Sequence, residues 1–372
     1  MKKLLLATAV AALSVSAANA APTLYGKAFV TADYVNAEFD AADSVNDYDE
    51  DTVEINSNSS RIGIKGSEAL TANTDVIYRL EYGTSVDGDK DGFKNRDTYL
   101  GVVNKNFGEI RAGKNQSTLD YVNNVIVNDG YWDNLGGNKL ESNEDAGGLN
   151  MADSSRINSS IVWMTPKYDN LPLQLSVMYS SDEDNGNKDD GFGAALMFDQ
   201  GTGFTAGVAY DKDQNITGDI IRGTATVDLG KYVAAPITLG ALYQVADFDG
   251  AGSGDEDEKG FILSAAMGLA NFARPATIYT QYNNTTNLNG VDNADSDQIV
   301  VGGKYFFKDN IIMHAYAGMN KADNVSTVVG TKPATPGSIV DNKFVPGEPE
   351  SSIFAKGDAE VFVVGGGLEY KF

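Results

Sequence analysis

Apolar residues recur at every second position through most of this chain, in short runs separated by polar turns. Val76, Tyr78, Leu80 and Tyr82 enclose Arg79 and Glu81, and Leu173, Leu175, Val177 and Tyr179 alternate with Gln174, Ser176 and Ser180. Phe192 to Phe198, Phe204 to Tyr210 and Ile299 to Phe307 repeat the pattern. A period of two puts one set of side chains on each face of a strand, so the chain reads as all-β. Sixteen segments carry the signal: 24–37, 52–67, 71–86, 93–104, 107–117, 156–166, 171–181, 190–200, 202–213, 217–229, 236–249, 259–270, 275–287, 295–307, 311–322 and 358–372. The composition agrees, because 18 Tyr, 16 Phe and 40 Gly against 9 Pro suit many strands joined by turns.

The connections separate a membrane barrel from a soluble sandwich. Odd-numbered ones are mostly long and polar: 38–51, 87–92, 118–155, 182–189, 214–216, 250–258, 288–294 and 323–357. Even-numbered ones are short: 68–70, 105–106, 167–170, 201, 230–235, 271–274 and 308–310. A sandwich has no reason to sort its loops by parity, whereas an outer-membrane barrel has long loops outside and tight turns in the periplasm. Lipid cannot satisfy a free strand edge, so the sheet has to close on itself. The expected fold is a 16-stranded antiparallel transmembrane β-barrel. The last strand then pairs with the first, presenting Phe362, Val364, Leu368, Tyr370 and terminal Phe372 on one face.

Lys2 and Lys3, the apolar run Leu4–Val15 and Ala18-Asn19-Ala20 read as an export leader over residues 1–20, leaving 21–372 as one barrel domain. The formal net charge is −24, and removal of the two leader lysines takes it to −26. Such acidity argues against nucleic acid as a partner, because phosphate binding needs clustered Lys and Arg. With no cysteine, neither a disulfide framework nor a thiolate metal site is available. The acidic stretches 40–51, 182–190 and 247–258 lack the ligand spacing of a calcium loop and read as solvated extracellular loops. No cofactor is expected.

At Leu24-Tyr25-Gly26-Lys27, Ser60-Arg61-Ile62-Gly63-Ile64-Lys65-Gly66, Asn95-Arg96-Asp97-Thr98-Tyr99-Leu100-Gly101 and Phe107-Gly108-Glu109-Ile110-Arg111-Ala112-Gly113-Lys114, the chain resembles the trimeric general diffusion porins of Gram-negative outer membranes. The resemblance implies that the third loop, about 118–155, folds into the lumen and narrows it. Its tip, Asp129-Gly130-Tyr131-Trp132-Asp133-Asn134-Leu135-Gly136-Gly137, carries the family's acidic role on Asp133, with Asp129 as a second acidic candidate. The stretch that holds a further loop-tip Glu in the family is replaced here by Asn134-Leu135. The basic half of the constriction falls by motif on Lys27, Arg61, Arg96 and Arg156. Alternation independently turns Arg61 away from lipid and adds Arg79 and Arg111 as lumen candidates. Small residues read as outward-facing, at Gly26, Ala28, Gly63, Gly101 and Ala112, mark the expected subunit contact of a homotrimer.

Catalysis is not expected. The single His, His314, is placed near the periplasmic end facing the lumen, with no nucleophile motif beside it. The expected function is passive diffusion of ions and small hydrophilic solutes across the outer membrane, with mild cation preference set by the acidic mouth. The expected partners are lipid, lipopolysaccharide and two further copies of the chain. A sugar-selective channel lined by Tyr121, Tyr131 and Trp132 and an adhesion-type barrel are the alternatives.

Overall fold

The computed structural model of this protein describes residues 21–43, 45–88, 92–133, 149–167, 171–181, 190–250, 253–332, 338–340, 343–345 and 351–372. The leader and the loop residues Asn134–Gly137 lie outside them. Among the described residues, seventeen strand segments form one closed antiparallel sheet. The first eight segments are β1 (Thr23–Ala41), β2 (Tyr48–Ser57), β3 (Arg61–Thr71), β4 (Thr74–Gly83), β5 (Lys94–Asn104), β6 (Gly108–Gln116), β7 (Arg156–Met164) and β8 (Leu173–Ser180). The sheet continues through β9 (Gly191–Asp199), β10 (Phe204–Lys212), β11 (Gly218–Asp228), β12 (Ile237–Phe248), β13 (Glu258–Leu269), β14 (Ala276–Thr286), β15 (Asp295–Lys308) and β16 (Ile311–Lys332). A small separate hairpin, β17 (Ser338–Val340) with β18 (Lys343–Val345), precedes the last strand, β19 (Ser351–Lys371).

Sixteen staves result, because β2 and β3 are halves of one strand broken at 58–60. Both halves pair with β1, and three steps along β1 from Val30 to Lys27 match four steps from Ser57 to Arg61. The extra residue reverses the alternation. Val53 and Ile55 are exposed above the break and Ile64 below it. The barrel closes where β1 pairs with β19, from Lys27 opposite Lys371 to Ala41 opposite Gly357.

Alternation does its expected work on the outer wall. Leu80, Leu100, Ile110, Ile161, Leu196, Val208, Ile221, Leu263, Ile299 and Leu368 project outward with large exposed surfaces. Such surface is stable only against hydrocarbon. Phe272, Phe307, Tyr370 and Phe372 are exposed at the end of the short turns, and Phe93, Tyr179 and Phe192 at the opposite end. These are the two aromatic girdles of a membrane barrel.

Two strands outrun the sequence reading. The stretch 323–357 is not all loop, since β16 continues to Lys332 and β19 begins at Ser351, with Lys332 paired to Ser351. Of the small residues read as outward, Gly63 and Gly101 instead face the lumen. A Cβ on Gly63 would meet the Tyr25 ring at 2.6 Å, and one on Gly101 the Arg111 side chain at 3.0 Å.

The closing seam is tight at Gly367, where a Cβ would lie 1.9 Å from the Val30 carbonyl oxygen on β1. Backbone cannot yield as a side-chain tip can. Gly367→Ala is therefore expected to cost about 1–3 kcal/mol, the usual range for overpacking. A lower temperature for conversion of the compact to the unfolded band on unheated gels would register it, and an unchanged temperature would contradict the contact.

Candidate functional site

The segment after β6 turns into the barrel and lines its wall. A short 3₁₀ turn at Thr118–Val122 packs against β8 to β11, and a second at Gly130–Trp132 against β1 and β19. Between them, Ser264 donates its hydroxyl hydrogen to the Val125 carbonyl at 2.5 Å and Gln281 accepts from the Val127 N–H at 3.0 Å. The returning leg follows the same wall, with Asn320 donating to the Leu149 carbonyl and Asn150 donating to Gln298, each at 3.0 Å.

The tip is pinned by packing as well as by hydrogen bonds. Trp132 is fully buried against Gly318, where a Cβ would come within 2.6 Å of the indole, so only glycine leaves room. Truncating a buried Trp typically costs roughly 3–5 kcal/mol. The Tyr131 N–H donates to the Tyr316 hydroxyl, which donates in turn to Asp33 on β1 at 2.6 Å. The Tyr121 hydroxyl accepts from Arg111. All three loop aromatics thus take part in holding the loop, the Tyr131 ring lying edge-on to Trp132 at 5.5 Å.

The base of the loop has its own clamp. Arg222 on β11 is fully buried. Its guanidinium donates to Gln244 at 2.8 Å, to Asn123 on the outgoing leg at 3.2 Å and to the Ala152 carbonyl on the returning leg at 3.4 Å. Glu258, also buried, accepts from the Ala152 N–H at 2.7 Å and the Asn289 N–H at 3.0 Å. Loop segment 149–155 is therefore tied to the barrel on both sides.

Facing this loop, the wall from β1 to β7 is cationic, and two carboxylates organise it. Glu81 accepts from Arg96 at 2.8 Å and from the Tyr25 hydroxyl at 2.9 Å, with Arg61 at 3.7 Å. Asp97 accepts from Arg156 at 2.7 Å and from Arg79 at 2.9 Å. Ser59 sits in the β2–β3 break at φ 48° and offers its carbonyl to Arg61 at 3.2 Å and its hydroxyl to Lys27 at 2.5 Å. A non-glycine residue in that conformation is strained, and here both of its oxygens orient lumen cations. Arg96 and Asp97 are neighbours in sequence yet both point inward, because a bulge opposite Glu81 shifts the β4–β5 register between Leu80 and Tyr82.

One polar cavity of about 420 Å³ gathers the two halves. Lys27, Arg61, Arg79, Arg96 and Arg156 line it from the wall with Glu81 and Asp97, and Asp120 and Asp133 line it from the loop. Burial pushes the Asp120 carboxyl above the ordinary range, partly offset by the hydrogen bond from Ser154. Two candidates are placed elsewhere. Asp129 is paired with Lys304 on β15, and Arg111 is held by Glu109 at 3.1 Å and by Tyr121. Ile157 is buried against Val162 and Met178, because Ser159 at φ 44° breaks the alternation of β7. Sequence reasoning missed Glu81, Asp97, Asp120 and Arg222. The alternation that admits Arg79 equally admits Glu81, so that one was readable.

The closed barrel is shared with known proteins. Residues 7–325 match the family described as Gram-negative porin. The chain belongs to that family. This porin is 28% identical over 335 residues to the major outer membrane protein P.IB of Neisseria gonorrhoeae, covering 82% of this chain and 90% of that protein. Its fold is similar to an anion-selective porin from Comamonas acidovorans, with TM-score 0.65 and 18% identity over 95% of this chain and all of that one. It is also similar to the trimer form of OmpT of Vibrio cholerae, with TM-score 0.58 and 16% identity over 95% of this chain and all of that one. This porin is thus an outer-membrane protein of the channel-forming kind, and its family and fold point away from catalysis. His314 fits that reading, buried on the lumen side with Nε2 3.1 Å from Glu369.

Proposed function

We propose that this porin is an open, water-filled channel for passive diffusion of ions and small hydrophilic solutes, exported with a cleaved leader and working as a homotrimer amid lipid and lipopolysaccharide. One observation carries the reading: five wall cations and the loop acids Asp120 and Asp133 share one polar cavity. Opposed charges across a narrow wet gap set up a transverse field that orders water and polar solutes, and apolar solutes pay to disturb it. The trimer form of a fold relative and the outward Gly26, Ala28 and Ala112 support the assembly.

Selectivity follows from two opposing fields. The cavity lining is nearly balanced, with five cations against Glu81, Asp97, Asp120 and Asp133. The chain as a whole carries −24, with acidic loops at the mouth. The Debye length is about 10 Å at 0.1 M salt and about 3 Å at 1 M, so the mouth field reaches the axis only in dilute salt. A mild cation preference at low salt that fades as salt rises is the expected outcome. Single-channel recording of the refolded protein in a planar bilayer, with reversal potential under a KCl gradient, checks it. Large steps closing in thirds support the reading, and well-folded protein that never conducts would refute it.

A further inference from the structure

Above the constriction, toward the long loops, lies a second cavity of about 400 Å³ of different chemistry. It shares Ser59, Arg96 and Arg156 with the constriction. Four cations line it, Lys94, Arg96, Lys114 and Arg156, together with Thr84, Ser85 and Asn95, and among the described residues no carboxylate lines it. Three described acids adjoin it and are each bonded to its lining residues. Glu81 holds Arg96, Asp97 holds Arg156, and Asp87 accepts from the Ser57 N–H at 2.6 Å and the Ser85 hydroxyl at 2.7 Å. Lys94 and Lys114 form no ion pair among the described residues, and Lys114 is partly buried beside Arg156, a like charge.

Two of the four cations, Arg96 and Arg156, are balanced by Glu81 and Asp97. Holding Lys94 and Lys114 beside them with no ion pair of their own among the described residues is costly, and an anion with several oxygens lowers that cost by accepting from them and from the free guanidinium N–H groups. Both arginines are already oriented by their Nε bonds to Glu81 and Asp97, so the chamber is ready-made for an oxyanion. Chloride also accepts several hydrogen bonds, but it brings one charge on one atom, whereas phosphate brings close to two charges on oxygens that can reach separated donors. We propose that this antechamber is a binding subsite for small phosphate-type oxyanions, where they dwell before entering the constriction. The subsite rests on the channel reading for its role in transport, but not for its ability to bind.

The test uses inorganic phosphate on the refolded full-length protein, compared with the Lys94→Gln/Lys114→Gln double variant. Both lysines lie outside the constriction cavity and form no ion pair among the described residues, so the variant keeps the barrel, and its phosphate block is read relative to its own KCl conductance. Phosphate is expected to reduce KCl conductance in a concentration-dependent way that equal ionic strength of chloride does not reproduce. The double variant should need about tenfold more phosphate, since two near-surface charges each contribute modestly. A second readout needs no conduction: broadening of the phosphorus-31 resonance by protein in detergent, lost in the same variant. Block or broadening that persists in the variant, or a native protein producing neither, overturns the subsite. Protein that broadens phosphate but passes no KCl current would sink the channel reading alone.

Discussion

Alanine at Arg61, Arg96 and Arg156 together is expected to raise the potassium-over-chloride permeability ratio roughly five- to tenfold and to increase conductance. These three side chains line the constriction cavity against Asp120 and Asp133, so their removal leaves Glu81, Asp97 and the loop acids in majority. Each missing cation shifts the local energy of a passing ion by about 1 kcal/mol at close range in a wet gap. Glu81 and Asp97 supply the internal control. Each is almost fully buried and bridges two arginines, so Glu81→Gln with Asp97→Asn should move the ratio the other way. Reversal potentials under the same KCl gradient decide between them, and equal ratios in both variants would remove the wall from selectivity.

Arg222→Met is expected to loosen the constriction loop rather than change its charge. The native guanidinium joins both legs of the loop to β11 and β12 through Asn123, Ala152 and Gln244. Methionine fills much of the space but donates nothing, leaving Asn123 and Gln244 without that partner in a site closed to water. Removing one member of a buried charged network costs on the order of 3 kcal/mol. The barrel sheet itself is untouched, so the folded band should persist while single-channel traces acquire brief closures as the loop detaches. Arg222→Lys keeps the charge and loses the fork, so it should fall between the two. Steady currents from the Met variant would show that Trp132, Tyr131 and Glu258 hold the loop without the clamp.

The sequence by itself determined the number of staves, the closure of the last on the first, and the sorting of long loops to one end. All three follow from a local rule: side chains on a strand alternate, and lipid tolerates only apolar surface and no free edge. The same rule turned Arg61, Arg79 and Leu80 to their observed sides. Tertiary structure decided where the rule is interrupted. The breaks at Ser59 and Ser159 and the bulge at Arg96–Asp97 each reset the alternation, and they arise from register against a neighbouring strand, which the strand's own residues do not encode. They put Arg96 and Asp97 on one side and turn Ile157 inward. Loop anchors were equally unreadable, since Arg222 meets residues 99 and 70 positions away, and Asp129 is paired with Lys304 on the wall the loop lies against. Alternation is set residue by residue, whereas a constriction is set by which walls face each other once the barrel has closed.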